Sequence, residues 1–176
     1  MLFQGAKLLG SPRNELPLAT RKGNNIPNEV IPDPDTAERR RLDYFVKQHG
    51  SQWEPRKPHA GGYNCAGHVW ASRRRAILDE GTVWLILNDD GYRPLRNNEV
   101  AMQSDLVLYW HRPVSGPETW LHVGMVCEIR ILGTVRIPWV VSKWGATTGE
   151  WLHRYDDVPY DKQGFTLRIE FRTDRP

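Results

Sequence analysis

At 176 residues, with 39% hydrophobic and 26% charged side chains, the chain has the composition of one soluble globular domain large enough to bury a core. Its formal net charge of +3 permits an anionic partner without requiring one, and nucleic acid is not the expected partner. Cys65 and Cys127 are too few for a disulfide framework or a thiolate zinc site, and no apolar run approaches the roughly 18 residues of a membrane span.

The N-terminus has no continuous apolar segment followed by a small-residue cleavage site. The expectation is a cytoplasmic protein, or one exported by a route that leaves no such mark. Leu2-Phe3-Gln4-Gly5 resembles the remnant of an engineered protease site. Residues 1–34 contain Pro12, Pro17, Pro27, Pro32 and Pro34 and follow neither the strand nor the helix period. They predict an extended arm ahead of a single domain over residues 35–176. Asp35 with Glu38 three positions on is an N-cap signature, and Leu42, Phe45 and Val46 form the apolar stripe of a helix that Gly50 stops. Arg39, Arg40 and Arg41 fan around that helix, which makes them a solvated face in preference to a nucleic-acid site.

Residues 51–62, with Pro55, Pro58, Gly61 and Gly62, read as a loop that delivers Tyr63-Asn64-Cys65-Ala66-Gly67-His68. The stretch from Ala66 to about Leu78 is proline-free and rich in Ala, Val, Trp, Ile and Leu, which predicts a helix starting at Cys65. A thiol there faces unpaired backbone N–H groups and the positive end of the helix dipole, both of which favour the nucleophilic thiolate. Residues 81–91 predict a short helix carrying Val83, Trp84 and Leu87.

From Gln103 onward the pattern changes to strands. These cover 104–110, 120–130, 136–144, a short segment at 150–153 and a half-exposed strand at 165–171, with a hairpin turn at Gly133. Helices followed by antiparallel strands give an α+β class.

Alternation along the 121–129 strand puts His122, Gly124, Val126 and Glu128 on one face. Val123, Met125, Cys127 and Ile129 share the other, which assigns Cys127 to the core. His122 is the candidate base for Cys65, since a cysteine nucleophile needs a partner within hydrogen-bond reach and a third polar group to orient it. Ser142 on the pairing strand and His153 beyond the Gly145–Gly149 loop are the candidates for that third position. His68 lies three residues along from Cys65 and reads as a pocket-wall or packing residue.

The chain reads Asn64-Cys65-Ala66-Gly67-His68-Val69, then Ser104-Asp105-Leu106-Val107-Leu108-Tyr109, then His122-Val123-Gly124-Met125. In order and approximate spacing these blocks resemble the NlpC-type branch of the papain-fold cysteine peptidases. That branch is marked by Asp-Cys-Ser-Gly-Leu-Val, Gly-Asp-Leu-Val-Phe-Phe and His-Val-Gly-Ile. Tyr63-Asn64-Cys65, Ser142-Lys143-Trp144-Gly145, Gly149-Glu150, His153 and Val158-Pro159-Tyr160 further resemble a bacterial subgroup of that superfamily. The resemblance implies a papain-like fold with the nucleophile helix packed on an antiparallel sheet. It also implies Cys65 as nucleophile, His122 as base, and Tyr63 near an oxyanion site to which the Cys65 backbone N–H contributes. The chain departs from the pattern where Asn64 replaces Asp and His68 replaces an apolar residue, both on the oxyanion or substrate side.

The leading expectation is a cysteine hydrolase cleaving amide bonds through a Cys65–His122 dyad or triad without cofactor or metal. Its substrate would be a peptide or peptidoglycan-like peptide, met inside the cell or as a delivered toxin. An acyltransferase with the same dyad is an alternative, and so is a catalytically silent binding module with an unknown protein or sugar partner. For the silent module Trp110, Trp120, Trp139, Trp144 and Trp151 would supply an aromatic groove. Nucleic-acid binding through Arg39–Arg41 and Arg73–Arg75 ranks third.

Overall fold

A computed structural model describes residues 15–176. The first part of the expected arm, including Leu2–Gly5 and Pro12, lies outside the described residues. Residues 15–34 run without a helix and pack on the domain through Ile26, which is buried in the core, and through a backbone pairing of Glu29 with Ala76. Asn28 fixes this path by accepting from Leu16 N–H at 3.0 Å and donating to the Leu16 and Ile26 carbonyls.

Helix α1, Thr36–His49, begins at the expected cap, where the Asp35 carboxylate accepts from Glu38 N–H at 2.8 Å. Helix α2 is Cys65–Trp70, and α3, Glu80–Asp89, is capped by Asp79 accepting from Thr82 N–H. The strands are β1 Glu54–Lys57, β2 Arg93–Pro94, β3 Leu106–His111, β4 Thr119–Leu132, β5 Val135–Lys143, β6 Glu150–Arg154 and β7 Leu167–Thr173, with a short α4 at Pro159–Lys162. They form one antiparallel sheet in the order β1-β6-β5-β4-β3-β7-β2. The protein is α+β.

Both faces of the sheet are covered. On one, Leu106, Leu108, Trp110 and Val123 pack against Cys65, Ala66, Ile77, Val83, Ile86 and Leu87 of α2, α3 and their connection. On the other, Val107, Tyr109, Val126, Val140 and Trp144 pack with Trp53, Val158 and Tyr160, and Phe45 of α1 borders them. At roughly 1.5–3 kcal/mol for each fully buried large apolar side chain, these two layers supply most of the gross stabilisation of the fold.

Three sequence expectations are corrected. The Cys65 helix ends at Trp70 instead of near Leu78, because Ala71 and Arg73 both donate to the Gly67 carbonyl and the chain turns through Ser72 and Arg73 at φ 48° and 63°. Residues 54–57, read as loop, pair with β6 as an edge strand. Cys127 is half-buried and not a core residue, since a bulge between Val126 and Glu128 shifts the register against β5.

Candidate active site

The Cys65 environment is built by its neighbours in sequence. Asn64 caps α2, its Oδ1 accepting from Gly67 N–H at 2.9 Å, and Cys65 is the first helical residue. The thiol is buried where α2 packs on β4 and β5. Ladder pairing of these strands ends at Met125–Val141, and Gly124 beyond it packs closely on Val140 and Ser142. There the Val123 backbone hydrogen-bonds the sulfur, together with Ala66 and Cys65 itself. Burial pushes the thiol up to about 11, outweighing the backbone bonds and the positive charge of Lys143, which pull the other way. Cys65 is therefore a neutral thiol at pH 7.

Beside it lies a charged network around a buried carboxylate, to which the sequence blocks assign no role. Glu150, 3% exposed, accepts from Tyr63 Oη at 2.5 Å and Arg73 Nε at 2.7 Å, with Lys57 Nζ at 3.4 Å. Burial alone would raise the Glu150 carboxyl, but the Tyr63 and Arg73 hydrogen bonds and the nearby positive charge hold it below the usual range. Arg73 Nη2 lies 2.9 Å from His68 Nε2. A guanidinium can only donate, so His68 Nε2 accepts and the imidazole is neutral. Burial lowers His68 to about 4, in agreement. Lys143, on the face of β5 shared with Val141, donates to the carbonyls of Ala60 at 2.7 Å and Thr148 at 2.5 Å and lies 4.6 Å from the Tyr63 ring centre. Burial lowers it to about 8. The readable signal was a lysine on the core-facing parity of a strand.

Tyr63, Asn64, Cys65 and His68 are thus brought together. His122, Ser142 and His153 share the sheet face of Val140 and Trp144, with His68 near enough to His122 to help lower it. The His122 ring stacks on Trp144 at 4.5 Å between centroids and lies 5.7 Å from Tyr109 and 6.1 Å from Tyr160, all in the second layer. His153 Nε2 is 2.9 Å from Ser142 Oγ, and its Nδ1 is 2.7 Å from the Arg154 carbonyl. A carbonyl only accepts, so Nδ1 carries the proton and Nε2 accepts from the Ser142 hydroxyl. Burial holds His153 near 4 and His122 well below its ordinary value.

His122 Nε2 has no hydrogen-bond partner, and Ser142 pairs with His153. The parity argument grouped His122 with Gly124 and Ser142 as observed, since a Cβ on Gly124 would meet Ser142 Oγ at 2.6 Å. Alternation sends Val123 to the Cys65 layer and His122 to the other.

The five tryptophans do not share a groove. Trp110 stacks on Trp84 at 5.0 Å in the first layer, Trp144 is buried in the second, and Trp139 lies under the Arg130 guanidinium. Among the candidate basic residues, Arg39 is tied to the Pro34 and His59 carbonyls and Arg73 to Glu150. A cavity of about 160 Å³ opens beside the Arg73–Glu150 pair, lined also by Arg56, Ser104 and Cys127. Among the described residues no group of His, Cys, Asp or Glu is arranged to hold a metal ion, and no helix is long and apolar enough to cross a membrane.

Comparison of the chain with protein-family models, with curated proteins and with solved structures returns no match in any of the three.

Proposed function

We propose that the protein is a papain-like cysteine hydrolase that cleaves amide bonds with Cys65 as nucleophile. The observation that carries this reading is the placement of Cys65 as the first residue of α2, behind the Asn64 cap and packed in one layer with Val123, the residue after His122. The thiol sits at a capped helix start among backbone N–H groups, the environment that stabilises both a thiolate and the oxyanion formed when it attacks a carbonyl. His122, the base in this reading, is next along the chain to Val123. In the reaction Cys65 loses its proton, attacks the amide carbonyl and expels the amine, which takes up a proton, and water then releases the thioester as the acid. The resting arrangement, with a neutral buried thiol, is an inactive state that substrate must open.

Peptidoglycan-type peptides are the substrate class to test first, given the resemblance of the three sequence blocks to NlpC-type enzymes. Purified sacculi and a mixed peptide library are incubated with wild type, Cys65→Ala and His122→Ala, and products are read by mass spectrometry. Fragments released by wild type and lost in both variants are expected. Equal release by Cys65→Ala would end this reading.

The burial of Cys65 and the packing of His122 against Trp144 also favour a second reading, a catalytically silent module. It predicts ligand binding that survives Cys65→Ala with no product formed by wild type.

A further inference from the structure

Arg56, Arg73 and Glu150 line one cavity of about 160 Å³, and each keeps bonding capacity that no described residue takes up. Glu150 is 3% exposed and accepts hydrogen bonds through Oε1, from Tyr63 and Arg73. His68 Nε2 lies 3.7 Å from its Oε2, but that nitrogen accepts from Arg73 and has no proton to give. Oε2 is thus left without a donor, which is costly in a buried carboxylate unless a ligand supplies one. Arg73 engages Glu150 through Nε and His68 through Nη2, so its Nη1 protons are unclaimed. Arg56, on β1, makes no ion pair among the described residues. Glu54 of the same strand is held by Arg130 in two hydrogen bonds, and the Arg56 guanidinium meets the Cys127 sulfur at 4.0 Å. The backbone marks the same place. Ser72, Arg73 and Ser104 are the non-glycine residues with positive φ among the described residues, and the last two, at 63° and 75°, line this cavity. A left-handed backbone is unfavourable in a residue with a Cβ, and such outliers cluster at ligand clamps.

We propose that this cavity binds a small amino acid as its zwitterion, with the carboxylate between Arg56 and Nη1 of Arg73 and the ammonium on Glu150 Oε2. Charge complementarity selects this class. A dicarboxylate without an amine would set its second charge against Glu150, which its hydrogen bonds to Tyr63 and Arg73 keep ionised. A plain amine would stand beside two guanidinium groups. A zwitterion meets both signs at once. The cavity is smaller than the roughly 300 Å³ at which pockets for drug-sized molecules begin, so the side chain is short. Met125 and Val141 give that side chain an apolar wall. Arg56, Arg73 and Glu150 take no part in the proposed hydrolysis, so amino-acid binding does not depend on Cys65 being a nucleophile.

Glycine, L-alanine and D-alanine are each titrated into the whole chain by isothermal calorimetry at pH 7.5 and low ionic strength. Propionate and ethylamine, which are alanine without its amine and without its carboxylate, serve as controls. At least one of the amino acids is expected to bind, and both controls at least about tenfold more weakly, since each gives up a charge-assisted hydrogen bond. Arg56 is exposed and lies outside the Glu150 network, so Arg56→Gln should fold and weaken binding by about tenfold. Arg56→Lys, which keeps the charge but not the planar fork, should weaken it less. Absence of binding by all three amino acids at millimolar concentration would overturn the proposal. Equal affinity for propionate would remove the role of Glu150, and unchanged affinity in Arg56→Gln would put the amino acid elsewhere; either result also overturns it. Should Arg56→Gln not fold, wild type supplies the second readout, because Cys127 lines the same cavity. Its alkylation by iodoacetamide, followed by peptide mass spectrometry, should fall by about tenfold with the amino acid at ten times its Kd, and an unchanged rate would sink the idea.

Discussion

Asn64 joins the start of α2 to the strand of chain that follows it: its Nδ2 donates to the Ile77 carbonyl at 2.7 Å while its Oδ1 accepts from Ile77 N–H at 3.1 Å and Gly67 N–H at 2.9 Å. This explains why an amide and not a carboxylate stands at position 64. A carboxylate could keep both acceptor bonds but would turn an oxygen towards the Ile77 carbonyl, leaving that buried acceptor unpaired. Asn64→Asp is expected to cost about 2 kcal/mol at pH 7.5, the penalty of one lost buried hydrogen bond plus carbonyl–carboxylate repulsion. Asn64→Ala, which also removes the cap, should cost about 3 kcal/mol. Urea denaturation measures both, and a neutral Asn64→Asp would show that the Ile77 carbonyl has no need of a donor.

Glu150 is the hub on which Tyr63, Arg73 and Lys57 depend. Glu150→Ala leaves the buried Tyr63 phenol without its acceptor while Arg73 and Lys57 reach solvent, and a loss of about 1–3 kcal/mol is expected. Tyr63→Phe removes one donor while Arg73 and Lys57 still balance the carboxylate, so about 1–2 kcal/mol is expected. Because both act on one carboxylate, the double variant should cost less than the sum of the two single changes. Thermal melts of the three variants test this, and strict additivity would mean that Tyr63 and Glu150 are energetically independent.

The sequence carried the elements whose signals are local. Asp35 and Gly50 bracket α1, Gly133 at φ 62° turns β4 into β5, and alternation along β4 sorted its side chains between the faces as observed up to the bulge. What was not legible depends on distant partners. Nothing between Ala71 and Leu78 disfavours a helix, yet a Cβ on Gly67 would meet the Arg75 carbonyl at 1.7 Å, so the chain folds back over that glycine. Arg73 then adopts a left-handed backbone that few bulky residues take, with Glu150 holding its side chain. Alternation along β4 is symmetric in the two sheet faces and does not say which of them α2 covers. β1 and β2 are too short and too polar to show a period at all.

His68, His122 and His153 are all buried and neutral, which gives the fold an acid limit. Their folded-state values lie below the ordinary 6.5, two of them near 4. Above 6.5 neither folded nor unfolded imidazoles are charged, and this contribution to stability is fully present. As the pH falls from 6.5 towards 4 the unfolded chain takes up protons that the folded chain refuses, so stability drops. Three such groups give a slope of about 4 kcal/mol per pH unit, enough to unfold an average domain near pH 5. Replacing His122 by Phe keeps an aromatic ring against Trp144 and removes an Nε2 that has no hydrogen-bond partner. His122→Phe should therefore be at least as stable as wild type at pH 7.5, and its acid limb should be shallower by about one third. Urea denaturation at half-unit steps from pH 4.5 to 7.5 reads both slopes. Parallel acid limbs would mean that His122 is already protonated in the folded protein, and a large loss at pH 7.5 would mean that its ring makes a polar contact worth keeping.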